Sequence, residues 1–115
     1  MSNSTVKPAS GKLGVLVVGL GAVTSTFMTG VLMARKGLSK PVGAMTQYDK
    51  IRVGRGADKK YLKYSEIVPM ADLNDIVFGA WDVYPANAYQ SAIYAEVLQE
   101  KDINPVKDEL EQIVP

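Results

Sequence analysis

The sequence of 115 residues predicts an α/β fold built on a parallel β-sheet. Two short apolar runs, residues 13–18 and 75–81, lack the alternation of a half-exposed strand. This pattern is typical of parallel strands that are covered on both faces. Each run is followed by a segment in which apolar residues recur at helical spacing. The order strand, helix, strand is that of a βαβ unit, and the chain length corresponds to one domain at most.

A glycine pair separates the first predicted strand from the first predicted helix. Gly19-Leu20-Gly21 follows the first apolar run directly, and glycine permits backbone angles that other residues avoid. The helix is expected over residues 24–36, because five apolar side chains recur at helical spacing: Phe27, Met28, Val31, Leu32 and Ala34. Two cations lie at its predicted C-terminus, and Gly37 is placed to end it.

A polar insertion over residues 38–74 is predicted to contain a β-hairpin. Its strands are expected near residues 51–53 and 61–64, with residues 54–58 between them. Six cations lie in or beside these strands: Lys50, Arg52, Arg55, Lys59, Lys60 and Lys63. They are open to two interpretations, a patch that contacts phosphate or the solvated, charge-protected edge of a hairpin. The absence of interleaved aromatic residues or a recognition motif favours the second.

Two helices are expected after the second apolar run. The first is predicted over residues 85–100, with an apolar face of Tyr89, Ala92, Ile93, Val97 and Leu98. Asn104-Pro105 has the form of an N-cap followed by proline in the first turn, which predicts a last helix. Trp81 and Tyr84 are interpreted as core residues rather than as surfaces for an adenine ring.

Composition and charge exclude several classes of function. The chain has no cysteine and no histidine, which removes disulfides, thiolate zinc sites and the commonest general base. We assign it no metal site. A formal net charge of +1 gives no strong field for nucleic acid or an anionic membrane. Residues 13–34 carry no charge and are long enough to span a bilayer, but the glycines and hydroxyl side chains among them favour a soluble protein.

The glycine loop and Asp82 together have the form of a dinucleotide site. Backbone N–H groups and the positive end of a helix dipole can hold a pyrophosphate. Gly19 is placed to make the tight turn and Gly21 to let the backbone approach the phosphate, while Thr24 replaces the usual third glycine. Asp82, at the end of the second strand, is placed to accept hydrogen bonds from a ribose and to disfavour the extra phosphate of NADP. The insertion makes the interval between the glycines and this acid unusually long.

Each part of this pattern also has a simpler interpretation. Gly19 and Gly21 can merely end a strand, and an aspartate such as Asp82 is at least as common as an N-cap or turn residue. Hydroxyl groups of the next helix are further candidates to contact a phosphate oxygen, at Thr24, Ser25 or Thr26.

Several segments resemble one enzyme family. Residues 19–26, Gly-Leu-Gly-Ala-Val-Thr-Ser-Thr, closely resemble the first turn and helix of inositol-3-phosphate synthases, also called myo-inositol-1-phosphate synthases. Residues 46–47 and 51–54 resemble that family's insertion, and residues 74–82 resemble its strand that ends in the ribose aspartate. The resemblance covers residues 12–115 and is to the bacterial, Bacteroides-like branch.

The resemblance implies an NAD-dependent isomerase that converts glucose 6-phosphate to myo-inositol phosphate, with NAD reduced and reoxidised within one turnover. It implies the N-terminal part of a Rossmann NAD-binding domain, with an incomplete parallel sheet and an inserted hairpin. The expected divisions are a disordered tail, a strand–loop–helix unit, the insertion, and a second strand with helices: residues 1–11, 12–37, 38–74 and 75–115. The NAD contacts that the resemblance implies are Gly21, Ala22, Val23, Thr24 and Asp82, and the glycine-loop pattern adds Gly19 and Leu20 to the predicted cofactor site. Many members carry a further glycine and two asparagines in the loop, so backbone contacts are the ones expected here.

The family's chains are several times longer, and their catalytic lysines and sugar-phosphate site lie further along the sequence. We therefore expect an N-terminal fragment that is inactive alone, and we assign it no catalytic residue. The full enzyme is expected to be a cytoplasmic homo-oligomer that serves inositol and phospholipid biosynthesis. Two alternatives remain: a nucleotide-binding module without chemistry, and a small protein anchored in a membrane by residues 13–34.

Overall fold

The computed structural model describes Lys7 and residues 10–115, so the predicted tail lies mostly outside the described residues. The strands of this described part are β1 (Leu13–Val18), β2 (Lys50–Val53), β3 (Lys60–Lys63) and β4 (Ile76–Trp81). Its α-helices are α1 (Ala22–Arg35), α2 (Met45–Tyr48), α3 (Tyr64–Ile67), α4 (Ala88–Ala95), α5 (Glu100–Ile103) and α6 (Lys107–Glu111). Single 3₁₀ turns lie at Gly56–Asp58, Leu73–Asp75 and Asn104–Val106.

β1 and β4 form a parallel pair, as predicted, although they are far apart in sequence. β1 has the bounds that its apolar run predicts, and β4 begins one residue late because Asp75 ends a 3₁₀ turn. The last residues of the two strands, Val18 and Trp81, are paired. Since parallel strands end at the same edge, the glycine loop and Asp82 emerge side by side.

The hydrophobic core lies on one face of the β1–β4 sheet. α1, α4 and the C-terminal helices pack there, and the completely buried side chains include Met28, Ile103, Val106 and Leu110. The buried positions of α1 recur at helical spacing, as its apolar pattern predicts, although Phe27 stays 46% exposed.

The opposite face of this sheet is uncovered in the described chain, so the cover that the apolar pattern predicts for both faces is present on one face only. Leu16 is 65% exposed, Val18 86% and Trp81 58%. Alternate residues of a strand point to opposite faces, so these side chains point away from the core helices. Trp81 is therefore not the core residue that its type predicts.

The uncharged stretch over residues 13–34 is divided among a strand, a loop and a helix. α1 begins two residues before its predicted start because Gly21 is its N-cap, and the chain leaves it at Gly37 with a φ of +70°. In the part of the chain that is described, no helix has the length and apolar character needed to cross a membrane.

The predicted hairpin is confirmed. β2 and β3 are antiparallel, with Lys50 opposite Lys63 and Val53 opposite Lys60. Gly54 has a φ of +90°, and a Cβ there would lie 2.5 Å from a backbone oxygen, so the turn requires glycine. No side chain of the hairpin is buried, which agrees with the solvated interpretation of its cations.

The first helix after β4 is shorter than its apolar spacing predicts. Asn87 caps α4 by accepting a hydrogen bond from the N–H of Gln90 at 2.9 Å, and the Gln90 side chain accepts one from the N–H of Asn87 at 3.0 Å. The helix ends at Glu96, which has a φ of +55°. A polar cap sets the start of the helix and the left-handed backbone of Glu96 its end, and the apolar spacing indicates neither.

The expected N-cap at Asn104 is wrong. Asn104 has helical backbone angles and begins the 3₁₀ turn that joins α5 to α6. Its side chain instead accepts a hydrogen bond from the hydroxyl of Tyr89 at 2.9 Å. Pro105 is tolerated because it lies in the first turn of a 3₁₀ segment, where no N–H is required.

Candidate functional site

The loop after β1 turns at Gly19 and is anchored at Leu20. Gly19 has a φ of +97°, in the region that favours glycine, and its N–H donates to the Trp81 carbonyl at 2.7 Å. Leu20 is 3% exposed and belongs to the core. Gly21 has a φ of −105°, which other residues adopt, and a Cβ there would meet no atom within 4 Å. The turn therefore needs Gly19, whereas Gly21 leaves space open above the backbone.

The N-terminus of α1 presents backbone N–H groups to this open space. Ala22, Val23 and Thr24 form its first turn, and the first bond of the helical ladder runs from the N–H of Ser25 to the Gly21 carbonyl at 2.9 Å. Within the described residues no side chain caps this end, and the first turn holds no acidic residue. The positive end of the helix dipole is thus free to meet an external anion.

The hydroxyl groups of this helix donate inward rather than toward the open space. The hydroxyl of Thr24 donates to the Gly19 carbonyl at 2.8 Å, and that of Thr26 donates to the Ala22 carbonyl at 2.7 Å. The Ser25 hydroxyl also donates to Ala22, at 3.3 Å. Because a hydroxyl has one proton to donate, the arrangement does not support the expectation that these groups bind phosphate. Thr24 offers its N–H instead.

Asp82 directly follows β4 and bonds to the glycine loop. Its Oδ2 accepts a hydrogen bond from the N–H of Leu20 at 2.7 Å, and its Oδ1 accepts one from the N–H of Tyr84 at 3.0 Å. These bonds, that of Tyr84 first, hold the pKa of Asp82 below its usual value. The side chain remains partly exposed, so it is an accessible charged group. Its bond to the Tyr84 N–H also makes Asp82 a turn residue, which is the simpler interpretation given above.

An open cleft of about 1190 Å³ runs from the loop to α4. Besides the loop and Asp82, it is lined by Tyr84, Pro85, Ala86, Gln90, Ser91, Tyr94 and Ala95. Tyr84 is 72% exposed and Tyr94 90%, so Tyr84 is not the core residue that was expected. Gln90, Ser91 and Tyr94 were missed in the sequence because only the packing of α4 brings them to the loop. The one feature of the sequence that could have identified these three residues is their spacing, which places them on one face of a helix.

Other chemistry-bearing groups lie away from this cleft. In the described chain, none of the six cations of the hairpin lines it, so the phosphate interpretation of that patch gains no support here. The same part of the chain holds no cluster of three or more acidic side chains that could bind a metal ion.

The family model for myo-inositol-1-phosphate synthase, which describes an NAD-binding domain, matches residues 13–115. The chain belongs to this family. NAD is therefore its cofactor, and the α/β fold with its incomplete parallel sheet is part of the family's NAD-binding domain. The resemblance inferred from the glycine loop, the insertion and the second strand is confirmed.

Individual relatives agree with the family model. The chain is 57% identical to inositol-3-phosphate synthase 1 of Bacteroides thetaiotaomicron over 111 residues, which are 96% of this chain and 25% of that protein. It is 34% identical to inositol-3-phosphate synthase 1 of Oryza sativa. That match covers 90% of this chain and 23% of the rice protein. The crystal structure of inositol-3-phosphate synthase from Caenorhabditis elegans matches 95% of this chain and 24% of its own, with a TM-score of 0.77 and 25% identity. The chain spans about a quarter of the length of these relatives.

Proposed function

We propose that the chain is the NAD-binding part of an inositol-3-phosphate synthase, which isomerises glucose 6-phosphate to myo-inositol phosphate. The observation that carries the proposal is the uncapped N-terminus of α1 beside the charged Asp82, at one end of a cleft. This arrangement suits an anionic diphosphate linked to a ribose. The names of the similar proteins support the choice of reaction.

The proposed contacts divide by chemical group. The N–H groups of Gly21, Ala22, Val23 and Thr24 receive the pyrophosphate, since they surround the free end of the helix dipole. Asp82 receives the adenosine ribose hydroxyls through the lone pairs that its two backbone hydrogen bonds leave free. Gly19 and Leu20 shape and anchor the loop rather than donate to the ligand, because their N–H groups already have acceptors.

When bound, NAD would supply a hydride acceptor that is regenerated within the same turnover. The residues of this chain bind and orient it, and we assign them no proton transfer. The chain matches a quarter of the length of its relatives, and we place the sugar phosphate and the catalytic groups in the remaining three quarters. The same proposal extends to a cytoplasmic homo-oligomer that supplies inositol for phospholipid synthesis.

A chimeric enzyme tests the proposal. In it, this chain replaces the matching quarter of the Bacteroides thetaiotaomicron synthase, to which it is 57% identical. We expect the chimera to bind NAD and to form inositol phosphate from glucose 6-phosphate. The parent enzyme is the control for activity, and a thermal melt of both proteins controls for folding.

Two outcomes would contradict parts of the proposal. A folded chimera that fails to bind NAD in a calorimetric titration would refute the assigned site. A folded chimera that binds NAD but forms no product would refute the assigned reaction and would favour a nucleotide-binding module without chemistry.

A further inference from the structure

We propose that Asp82 has a second task besides receiving the ribose: it fixes the position of the glycine loop through the N–H of Leu20. This inference rests on the proposed NAD site, since the loop matters only if it holds the pyrophosphate. Asp82 would then be a positioning residue for the first turn of α1 as well as a ligand contact.

The geometry of the carboxylate supports this task. The bond from Leu20 to Oδ2 is 2.7 Å long, which is typical of a hydrogen bond to a charged acceptor. The second oxygen is held by the N–H of Tyr84 at 3.0 Å, so the carboxylate cannot rotate away without losing both bonds. It thus connects the end of β4 to the loop that follows β1.

The loop needs such a connection because of its composition. Gly19 and Gly21 flank Leu20, and glycine leaves the backbone more conformational freedom than any other residue. The Leu20 side chain anchors the loop in the core, and the Thr24 hydroxyl holds the carbonyl of the Gly19–Leu20 peptide group, which leaves the N–H side of that group to be fixed. Asp82 fixes the peptide N–H of Leu20, and the N–H groups of α1 follow directly along the chain.

A specific consequence separates this task from ribose binding. If Asp82 acted through the ribose alone, its loss would not weaken a ligand without ribose hydroxyls, and losing a negative charge near the pyrophosphate would even help. If Asp82 also positions the loop, its loss weakens that ligand too. The effect then reaches the pyrophosphate through Leu20.

The test is a cycle of two proteins and two ligands. The proteins are the chimeric enzyme and its Asp82→Asn variant, which preserves shape but loses the charged acceptor. The ligands are NAD and an NAD analogue whose adenosine sugar is 2′,3′-dideoxyribose. We expect the substitution to raise the dissociation constant of the dideoxy analogue about fivefold or more, and that of NAD further still. Asp75→Asn is the matched control, since it removes the same charge from the opposite end of β4.

Hydrogen exchange of the ligand-free proteins provides an independent readout. The Leu20 amide should exchange faster in the Asp82→Asn variant, while amides of the α4 core remain protected. Equal or tighter binding of the dideoxy analogue by the variant, or unchanged exchange at Leu20, would overturn the positioning task. Failure of the unmodified chimera to bind NAD would overturn the proposed function instead, and the exchange experiment would still decide the task of Asp82.

Discussion

At the scale of single residues, the two glycines of the loop meet different physical demands. Gly19 needs glycine for its own backbone, whose φ is +97°, whereas Gly21 adopts angles open to any residue. No atom of the described chain beyond its neighbours lies within 4 Å of the place that a Cβ on Gly21 would take, so a side chain there would occupy the space proposed for the ligand. Gly19 is therefore needed for the turn, and Gly21 is proposed to serve binding.

Substitution of each glycine in the chimeric enzyme should separate these effects. Gly21→Val is expected to abolish NAD binding while the fold is retained, because the branched side chain occupies the place of the pyrophosphate. Gly19→Ala is expected to cost about 1–2 kcal/mol of stability, because alanine is strained at positive φ. Calorimetric titration and thermal melts measure the two quantities. Normal NAD affinity in Gly21→Val would show that the loop is assigned wrongly.

Asp82→Ala should weaken NAD binding more than it lowers the rate at saturating NAD. Loss of a charged acceptor for the ribose is expected to raise the dissociation constant about ten- to a hundredfold. Asp75→Ala is again the control, because that partly exposed side chain pairs with Lys12 at 3.5 Å and does not line the cleft among the described residues. Equal affinities of the Asp82 and Asp75 variants would mean that Asp82 is a turn residue alone.

The pKa of Asp82 gives the pH dependence of this effect. Because the backbone N–H groups of Tyr84 and Leu20 hold its pKa below the usual value, the carboxylate stays charged at neutral and mildly acidic pH. Its contribution is present there and is lost as the pH falls through the lowered value. The ratio of NAD affinities between the chimera and Asp82→Ala should therefore stay constant between about pH 8 and 5. A ratio that falls within this range would contradict the assigned ionisation.

At the scale of elements, Arg35 connects the end of α1 to the start of β4. Its Nε donates to the Leu73 carbonyl at 2.6 Å, and a second nitrogen of the guanidinium donates to the Ile76 carbonyl. The guanidinium also lies 5.7 Å from the ring centre of Phe78. The sequence places Arg35 as a helix-terminal cation, and the structure adds that it fixes the exit of the insertion.

Arg35→Lys should destabilise this junction, although it preserves the charge. A single ammonium cannot reproduce the planar fork that serves two carbonyls and lies over a ring. We expect a cost of about 1–3 kcal/mol, measured as faster hydrogen exchange at the start of β4 in the chimera. Arg52→Lys in the exposed hairpin is the matched control and should change nothing measurable. Equal exchange in both variants would contradict the role of Arg35.

The sequence predicts elements best where local patterns decide them. The bounds of β1 follow from an uninterrupted apolar run, and the hairpin follows from two short strands around Gly54. The start of α4 depends instead on the reciprocal cap between Asn87 and Gln90, which apolar spacing does not register. The sequence likewise identifies the glycine loop and Asp82 as candidate site residues. It does not reveal the direct hydrogen bond between them, which spans 62 positions, because that bond depends on the parallel pairing of β1 and β4.

At the scale of the whole molecule, the sheet has one covered and one open face. Side chains such as Val18 and Trp81 present apolar surface that the described helices do not reach. Parallel sheets are normally covered on both faces, and the relatives are about four times as long as this chain. If the chain is part of the proposed enzyme, we expect further residues of that enzyme to cover this face.

The isolated chain should therefore fold poorly. We expect residues 1–115 alone to be oligomeric or partly molten, to bind NAD weakly and to form no inositol phosphate from glucose 6-phosphate. Light scattering, a thermal melt and a turnover assay measure these properties, with the chimera as the control. A sharp melt of a monomer would refute the folding claim, and product above background would refute the placement of the chemistry elsewhere.

The most direct test of the account is a crystal structure of the chimeric enzyme with NAD. We expect pyrophosphate oxygens within hydrogen-bond distance, about 2.7–3.2 Å, of N–H groups of Ala22, Val23 or Thr24. We also expect adenosine ribose hydroxyls on Asp82, with the Leu20 N–H still bound to that carboxylate. A dinucleotide whose pyrophosphate lies away from the N-terminus of α1 would contradict it.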